Sequence, residues 1–194
     1  MRQSIIIALL ITSIWSCAQK KSVIPSLVGG PCEGCEAVLE YNKPLNDVDT
    51  LPGFAESGRK MKIEGTVFQP NGKTPAKDVI IYLYHTNQQG YYEAKKDAQS
   101  WGKRHGYIRS WVKTNEKGHY TYYTLKPAPY PNRIDPTHIH YTILKPDGKY
   151  YYISSVEFRD DPRLKNTAQN PAKAGGGNGI IELVNSGGLL IGTR

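Results

Sequence analysis

The chain has 194 residues, 39% hydrophobic and 22% charged, the composition of a globular chain with one domain's core rather than of a disordered or membrane-embedded one. Lys and Arg number 25 against 17 Asp and Glu, a formal charge of +8, and three cysteines exclude a dense disulfide scaffold. Tyrosine is the outlier, at 14 Tyr against 3 Phe. A core that needs only aromatic bulk has Phe available, so the phenolic hydroxyls are expected to have work of their own.

Arg2 precedes an apolar run, Ile5 to Ile11, that is too short to span a bilayer. Ile14-Trp15-Ser16-Cys17 then resembles a bacterial lipoprotein signal, with an aliphatic residue three places before the cysteine and a small one directly before it. The resemblance implies a signal peptide over residues 1–16, cleavage before Cys17, a lipidated thiol and a cell-envelope location (periplasm or outer membrane). An ordinary secretory signal cut nearby is the alternative, and both export the chain. Residues 17–31 read as a polar tether. Cys32-Glu33-Gly34-Cys35 follows. A redox relay would want a βαβ context, which does not follow, and a zinc site would want two further soft ligands. A local disulfide suits an exported chain best.

From here strand signals recur with turns between them. Lys62 to Phe68 alternates and ends at Gln69-Pro70-Asn71-Gly72; Asp78 to His85 carries Val79-Ile80-Ile81-Tyr82-Leu83-Tyr84, suited to a buried strand. Gly106 to Val112 is a weaker strand, the turn Thr114 to Gly118 leads into His119–Thr124, and His138–Leu144 turns at Lys145 to Gly148 into Lys149–Val156. Ile180–Val184 and Leu189–Ile191 close the chain around Asn185-Ser186-Gly187-Gly188. No stretch sustains a 3.6-residue apolar period over three turns, so no long helix is expected. The expected fold is all-β: a β-sandwich of mainly antiparallel strands with long irregular loops, filling residues 32–194. Ala174 to Gly179 reads as a flexible loop, without the following helix that phosphate binding would want.

Chemistry concentrates in Tyr130-Pro131-Asn132-Arg133-Ile134-Asp135-Pro136-Thr137-His138-Ile139-His140. Residues i and i+2 of a strand share a face, so His138 and His140 can aim two imidazoles at one ion. Taken alone, His-x-His is equally a structural pair. A cupin reading weakens because no Glu follows at the needed spacing. His85, His105 and His119 read as solvent-facing or satisfied structural histidines. Lys95-Lys96 and Lys103-Arg104 read as a solvated basic face that also suits steering of an anionic aromatic. No nucleic-acid motif is present, and no nucleic-acid partner is expected.

An ordered series of segments over Lys62 to Pro162 resembles the intradiol ring-cleavage dioxygenases, the family of protocatechuate 3,4-dioxygenase and catechol 1,2-dioxygenase. These are Gly65-Thr66-Val67 with Pro75, Tyr84 to Tyr92 with its Gly-x-Tyr end, Arg109 to Tyr120, Lys126 to Pro131, Pro136-Thr137-His138-Ile139-His140, and Phe158-Arg159-Asp160-Asp161-Pro162. The resemblance implies a mononuclear Fe(III) held by Tyr92, Tyr130, His138 and His140, with Tyr92 rather than Tyr91 counted from Gly90. Tyr130 matches the ligand that incoming substrate displaces, and its phenolate is then a base for the catechol proton. Phenolate oxygen is a hard donor suited to a hard trivalent ion. The implied reaction opens a catechol ring with O2 between its two hydroxylated carbons, giving a muconate-type diacid. One position departs from the pattern: the Arg expected three residues before the first His is Asp135, and Arg133 stands in reach as a catalytic substitute. Arg109 matches a family Arg whose role can be structural. The rival class is an inactive envelope β-sandwich that binds iron, a catechol or a sugar. Oligomeric state is left open.

Overall fold

The computed structural model describes residues 23–166 and 176–194. The expected signal peptide, Cys17 and the start of the tether lie outside the described residues, as do Ala174 and Gly175 of the glycine-rich loop. Among the described residues no helix is long and apolar enough to cross a membrane.

The described residues form twelve strands in chain order: β1 (Ser26–Leu27), β2 (Val48–Thr50), β3 (Lys60–Thr66), β4 (Ile80–Tyr84), β5 (Arg109–Lys113), β6 (His119–Leu125), β7 (His138–Leu144), β8 (Lys149–Tyr152), β9 (Val156–Phe158), β10 (Ile180–Ile181), β11 (Leu183–Ser186) and β12 (Leu189–Thr193). They form two sheets. A seven-stranded sheet runs β1-β8-β7-β4-β5, with β9 and β10 continuing beside β7; a five-stranded sheet runs β11-β12-β3-β6-β2. The all-β expectation holds. The sheets are mixed, however: the long central pairings are antiparallel, whereas β1–β8, β9–β10, β3–β12 and β2–β6 run parallel.

Alternation decides which side chains meet. In β3, Met61 and Ile63 are buried while Lys60, Lys62 and Glu64 point outward; in β7, Ile139, Tyr141 and Ile143 face the other sheet. These residues, with Ile81, Leu83, Val112, Tyr120, Tyr122 and Leu190, make the sandwich interior. Each fully buried aliphatic side chain there contributes roughly 1.5–3 kcal/mol. The excess of tyrosine has a counterpart inside this core: the Tyr122 and Tyr141 hydroxyls, from opposite sheets, are hydrogen-bonded at 2.6 Å.

Two expected strands are divided. Lys149–Val156 breaks into β8 and β9 at residues 153–155, because both pieces line the same edge of β7 with a gap between their registers. Ile180–Val184 breaks at Glu182, and its halves join different sheets. The end of the expected tether also enters the fold: Ser26 and Leu27 pair with Lys149 and Tyr150, because the open edge of β8 offers backbone partners. Periodicity did not reveal β2, nor the 3-10 turns Cys35–Leu39 and Pro162–Asn166, nor the single helical turn Gly102–His105, since none holds an apolar repeat. Cys32 and Cys35 form a disulfide, and the segment it opens packs on the outer face of the larger sheet through Cys35, Ala37 and Val38 against Ile80, Tyr82, Leu144 and Tyr150.

His85 shows how that core depends on proton balance. It is buried between the sheets, with Nδ1 2.8 Å from the Thr86 carbonyl and Nε2 2.7 Å from Thr124 Oγ1. A carbonyl only accepts, so Nδ1 carries the proton and Nε2 accepts from the threonine hydroxyl. Burial lowers its pKa to about 4, against the ordinary histidine value of 6.5. Between those values the unfolded chain binds a proton that the folded chain refuses, so stability is full above pH 6.5 and is lost as pH falls toward 4. The loss from this residue reaches about 3 kcal/mol at the acid end. Urea midpoints of metal-free protein from pH 7 to 4 are expected to fall, and to fall less for His85→Gln, which cannot titrate.

Candidate metal centre

The four residues predicted to share an ion lie on the outer face of the larger sheet. His138 and His140 project from β7 on the same face, opposite to Ile139, which is fully buried in the core. Tyr92 arrives from the loop after β4, and Tyr130 from the loop between β6 and β7. Their polar atoms converge. The Tyr92 and Tyr130 hydroxyls are hydrogen-bonded to each other. His140 Nε2 is 2.9 Å from Tyr92 Oη and 3.4 Å from Tyr130 Oη; His138 Nε2 is 3.2 Å from Tyr130 Oη and 3.1 Å from His140 Nε2. Tyr91, the neighbour one register away, is 59% exposed, so the count from Gly90 selects the inward tyrosine.

Local sequence explains the convergence. Asn87 folds the Tyr92 loop back on itself: its Oδ1 accepts hydrogen bonds from the Gln89 and Tyr91 amides, each at 3.0 Å. Its backbone carbonyl accepts from Gly90 at 3.1 Å and from Ala128 at 3.3 Å, which stitches this loop to the one carrying Tyr130. Thr86 Oγ1 donates to the Ala128 carbonyl at 2.6 Å in the same seam. Gly90 has φ +83 and packs so closely that a Cβ there would sit 2.2 Å from the Pro129 carbonyl oxygen. Pro129 and Pro131 fix the backbone on either side of Tyr130.

The histidines have their own anchor. Asp161 accepts the Thr137 amide at 2.7 Å and the Arg163 amide at 2.8 Å, fixing the residue just before His138. Burial alone would raise the Asp161 pKa, yet the hydrogen bonds from Thr137 and Arg163 hold it below its ordinary value. Asp161→Ala removes both acceptors, and the metal-free protein is expected to lose about 1–3 kcal/mol in urea unfolding at pH 7, an amount that shrinks as pH falls below the ordinary carboxylate value of 3.8 and through the lower value of the folded protein. The His138 Nδ1–H donates to the Pro136 carbonyl at 2.7 Å, which turns the Nε2 lone pair inward.

Electrostatics at the cluster follow from burial. It is the largest influence raising both tyrosine pKa values; for Tyr130, Asp135 raises further while the bond from Tyr92 and the charge of Arg133 oppose it. Burial, then His138, keeps His140 well below the usual histidine range. Arg133 and Asp135 therefore both act on Tyr130. The Arg133 side chain is exposed, with its guanidinium over the Tyr130 ring, 5.8 Å from its centre. Arg109 is structural, paired with Glu40 at 2.6 Å, and Glu40 also accepts the Trp101 amide at 3.1 Å. Of the remaining histidines, His85 and His105 are buried and hydrogen-bonded. Arg104 pairs with Glu33 at 2.7 Å, while Lys95 and Arg109 line a surface cleft of about 220 Å³ that none of the four clustered residues lines.

Asn87 and Asp161 lie inside the Tyr84 to Tyr92 and Phe158 to Pro162 segments, which assign neither of them a role. The Asn preceding a Gly-containing turn, and the Asp before Pro162, were the signals available.

Comparison with known proteins identifies the family of the chain. The profile of the Dioxygenase family matches residues 39–175. Among solved structures, the dioxygenase domain of a dioxygenase–carbohydrate-binding protein fusion from Streptomyces sp. SirexAA-E superposes with a TM-score of 0.58 at 21% identity, over 87% of this chain and 96% of that one. Catechol 1,2-dioxygenase from Acinetobacter sp. ADP1 gives 0.56 at 18% identity, over 79% of this chain and 58% of the other, so this chain spans little more than half of that enzyme. An intradiol ring-cleavage dioxygenase from Tetranychus urticae gives 0.55 at 20% identity, over 79% and 86%.

Proposed function

Since the chain belongs to the intradiol ring-cleavage dioxygenase family, we propose that it is an Fe(III)- and O2-dependent enzyme that opens a catechol between its two hydroxylated carbons to a muconate-type diacid. The observation that carries this reading is the meeting of two phenol oxygens and two imidazole nitrogens from three separate segments, each Nε2 or Oη atom within 3.4 Å of at least two of the others. Donors bound at about 2 Å to one ion have spacings of about this size. The chemistry of the set also fits: two hard phenolates offset two of the three charges of a ferric ion, and imidazole is a common partner for iron. Tyr92, Tyr130, His138 and His140 would hold it. When bound there, Fe(III) acidifies the catechol hydroxyls and draws electron density from the ring, which opens the ring to O2.

The chain's own part is positional. His138, oriented by Pro136, and His140 hold fixed directions on a rigid strand. Tyr92 is set by the Asn87 turn. Tyr130 matches the ligand that substrate displaces in the family, so its oxygen would be the one to leave and accept a proton from an arriving catechol. Arg133, above the Tyr130 ring, favours the anionic form of that group, and Asp135 opposes it.

The test is colour, then oxygen. Phenolate-to-Fe(III) charge transfer is expected to make the iron-loaded protein red-brown, and a colourless iron-loaded protein would reject the metal site. Oxygen uptake with a panel of catechols, followed by identification of a ring-opened diacid, tests turnover. Asp135, standing where the family pattern has Arg, favours one second reading: an envelope binding module that keeps iron without turning over. Coloured protein that consumes no O2 with any catechol would select it.

We further propose that the protein is exported and held at the cell envelope through a lipidated Cys17, with catechol and O2 as its small-molecule partners. The Cys32–Cys35 disulfide supports an oxidising compartment. Mass spectrometry of the membrane fraction, showing or lacking a diacylglyceryl group on Cys17, decides this.

A further inference from the structure

The two histidines of the cluster are held in different ways. His138 has a short hydrogen bond from Nδ1 to a carbonyl, the usual device that fixes a ligand imidazole. His140 Nδ1 lies 3.4 Å from Ser155 Oγ, longer than an ordinary N/O hydrogen bond. Its ring is instead covered by a column of other rings. Tyr84, its partner in the β4–β7 ladder, stacks on it at 4.6 Å between centres with planes 18° apart. His105 stacks on the far side of Tyr84 at 3.9 Å and 2°, and Trp101 follows at 5.1 Å and 30°.

The far end of the column is pinned. His105 Nδ1 is 2.8 Å from Tyr82 Oη, and the edge of its ring abuts Gly34, where a Cβ would lie 2.5 Å from Nε2. Gly34 sits inside the Cys32–Cys35 loop, so the disulfide segment closes over the column. Trp101 is held through its amide by Glu40, which is fixed in turn by Arg109. Rotation about the last side-chain torsion of a histidine is soft, and it is this rotation that swings Nε2. A ring stacked on a parallel neighbour loses that contact if it makes the swing.

We propose that Tyr84, backed by His105, is a positioning residue for His140: the stacked column sets the plane in which Nε2 points at Tyr92, Tyr130 and His138. This rests on the reading of those four residues as Fe(III) ligands. The family pattern supplies the ligands, whereas the column follows from Tyr84, His105 and Trp101 meeting in this fold.

The experiment compares full-length wild type, Tyr84→Leu, Tyr84→Phe, His105→Leu and Ser155→Ala. Fe(III) affinity is measured by competition with nitrilotriacetate, together with the visible charge-transfer band. The His140 ring-proton resonances are followed by NMR in the metal-free proteins. Tyr84→Leu is expected to weaken Fe(III) binding about 10- to 100-fold, the range for losing an outer partner of a metal ligand. It is also expected to shift the band and to move the His140 ring protons as the ring current is lost. Tyr84→Phe keeps a flat ring and is expected to restore both affinity and band to within about threefold of wild type, a rescue by the same stacking geometry. Ser155→Ala is expected to change little. Unchanged affinity and band in folded Tyr84→Leu overturn the proposal, as does a Ser155→Ala effect equal to that of Tyr84→Leu. If Tyr84→Leu does not fold, His105→Leu decides in the same way: a weakened site supports the column, an unaltered one overturns it. Wild type that takes up no Fe(III) overturns the metal reading and this proposal together, which separates that failure from a variant-only one.

Discussion

Replacing Tyr92 with phenylalanine is expected to lower Fe(III) affinity by more than about 100-fold, beyond the range of about 10- to 100-fold for losing an outer partner. The Tyr92 hydroxyl meets both the Tyr130 hydroxyl and His140 Nε2, so the change removes one of two anionic donors and leaves a C–H edge facing the other three groups. The ring itself stays in place, packed between Tyr84 at 5.6 Å and Tyr130 at 5.8 Å. Stability of the metal-free protein is therefore expected to change by no more than about 1 kcal/mol, the size of one lost hydrogen bond. Affinity against a competing chelator, the visible spectrum and the urea midpoint are read on one preparation. A variant that keeps wild-type affinity and colour would remove Tyr92 from the centre. Tyr130→Phe is expected to alter the colour as well but to spare more affinity, because in the proposed reading Tyr130 is the ligand that arriving substrate displaces.

Gly90→Ala is expected to damage the same centre without touching a donor atom. The position has φ +83, which costs a non-glycine residue roughly 1–2 kcal/mol. The added carbon also meets the Pro129 carbonyl oxygen at 2.2 Å and Pro131 Cδ at 2.8 Å. Those contacts are relieved only if the Tyr92 and Tyr130 loops move apart. A total loss of about 2–4 kcal/mol in urea unfolding is expected. Because a displacement of about 1 Å at a reacting centre costs about 100-fold in rate, ring-opening activity is expected to fall by at least that factor. Gly72→Ala is the control: it has φ +67 but no neighbour within 4 Å, so it carries the backbone cost alone and is expected to leave iron binding intact. Equal iron binding and turnover in Gly90→Ala and wild type would show that the two loops do not need this approach.

The strands around the cluster were legible because their signals are local. Alternation in Lys62–Phe68 and His138–Leu144 reports which side chains share a face, and the i, i+2 rule put His138 and His140 together before any coordinates were known. The choice of Tyr92 over Tyr91 had a different source, the resemblance to the family's Gly-x-Tyr pattern counted from Gly90. The breaks in Lys149–Val156 and Ile180–Val184 were not legible. Both stretches are apolar enough for one strand, and the division is imposed by which neighbour each half finds.

What the sequence determined alone was the inventory: an all-β chain, a cysteine pair suited to a local disulfide and, through the family resemblance, four candidate donor side chains and a departure at Asp135. What only the tertiary structure decided was distance and support. Tyr92, Tyr130 and the histidines lie up to 48 positions apart, and nothing local brings their polar atoms within 3.4 Å. The approach depends on Gly90 against Pro129, on Asp161 against Thr137, and on the rings stacked behind His140. Arg133 marks the same boundary, because its place above the Tyr130 ring depends on how the whole loop is draped. Short-range rules describe a residue and its chain neighbours, whereas a metal centre is made of contacts between segments, whose geometry is set by packing of the entire domain.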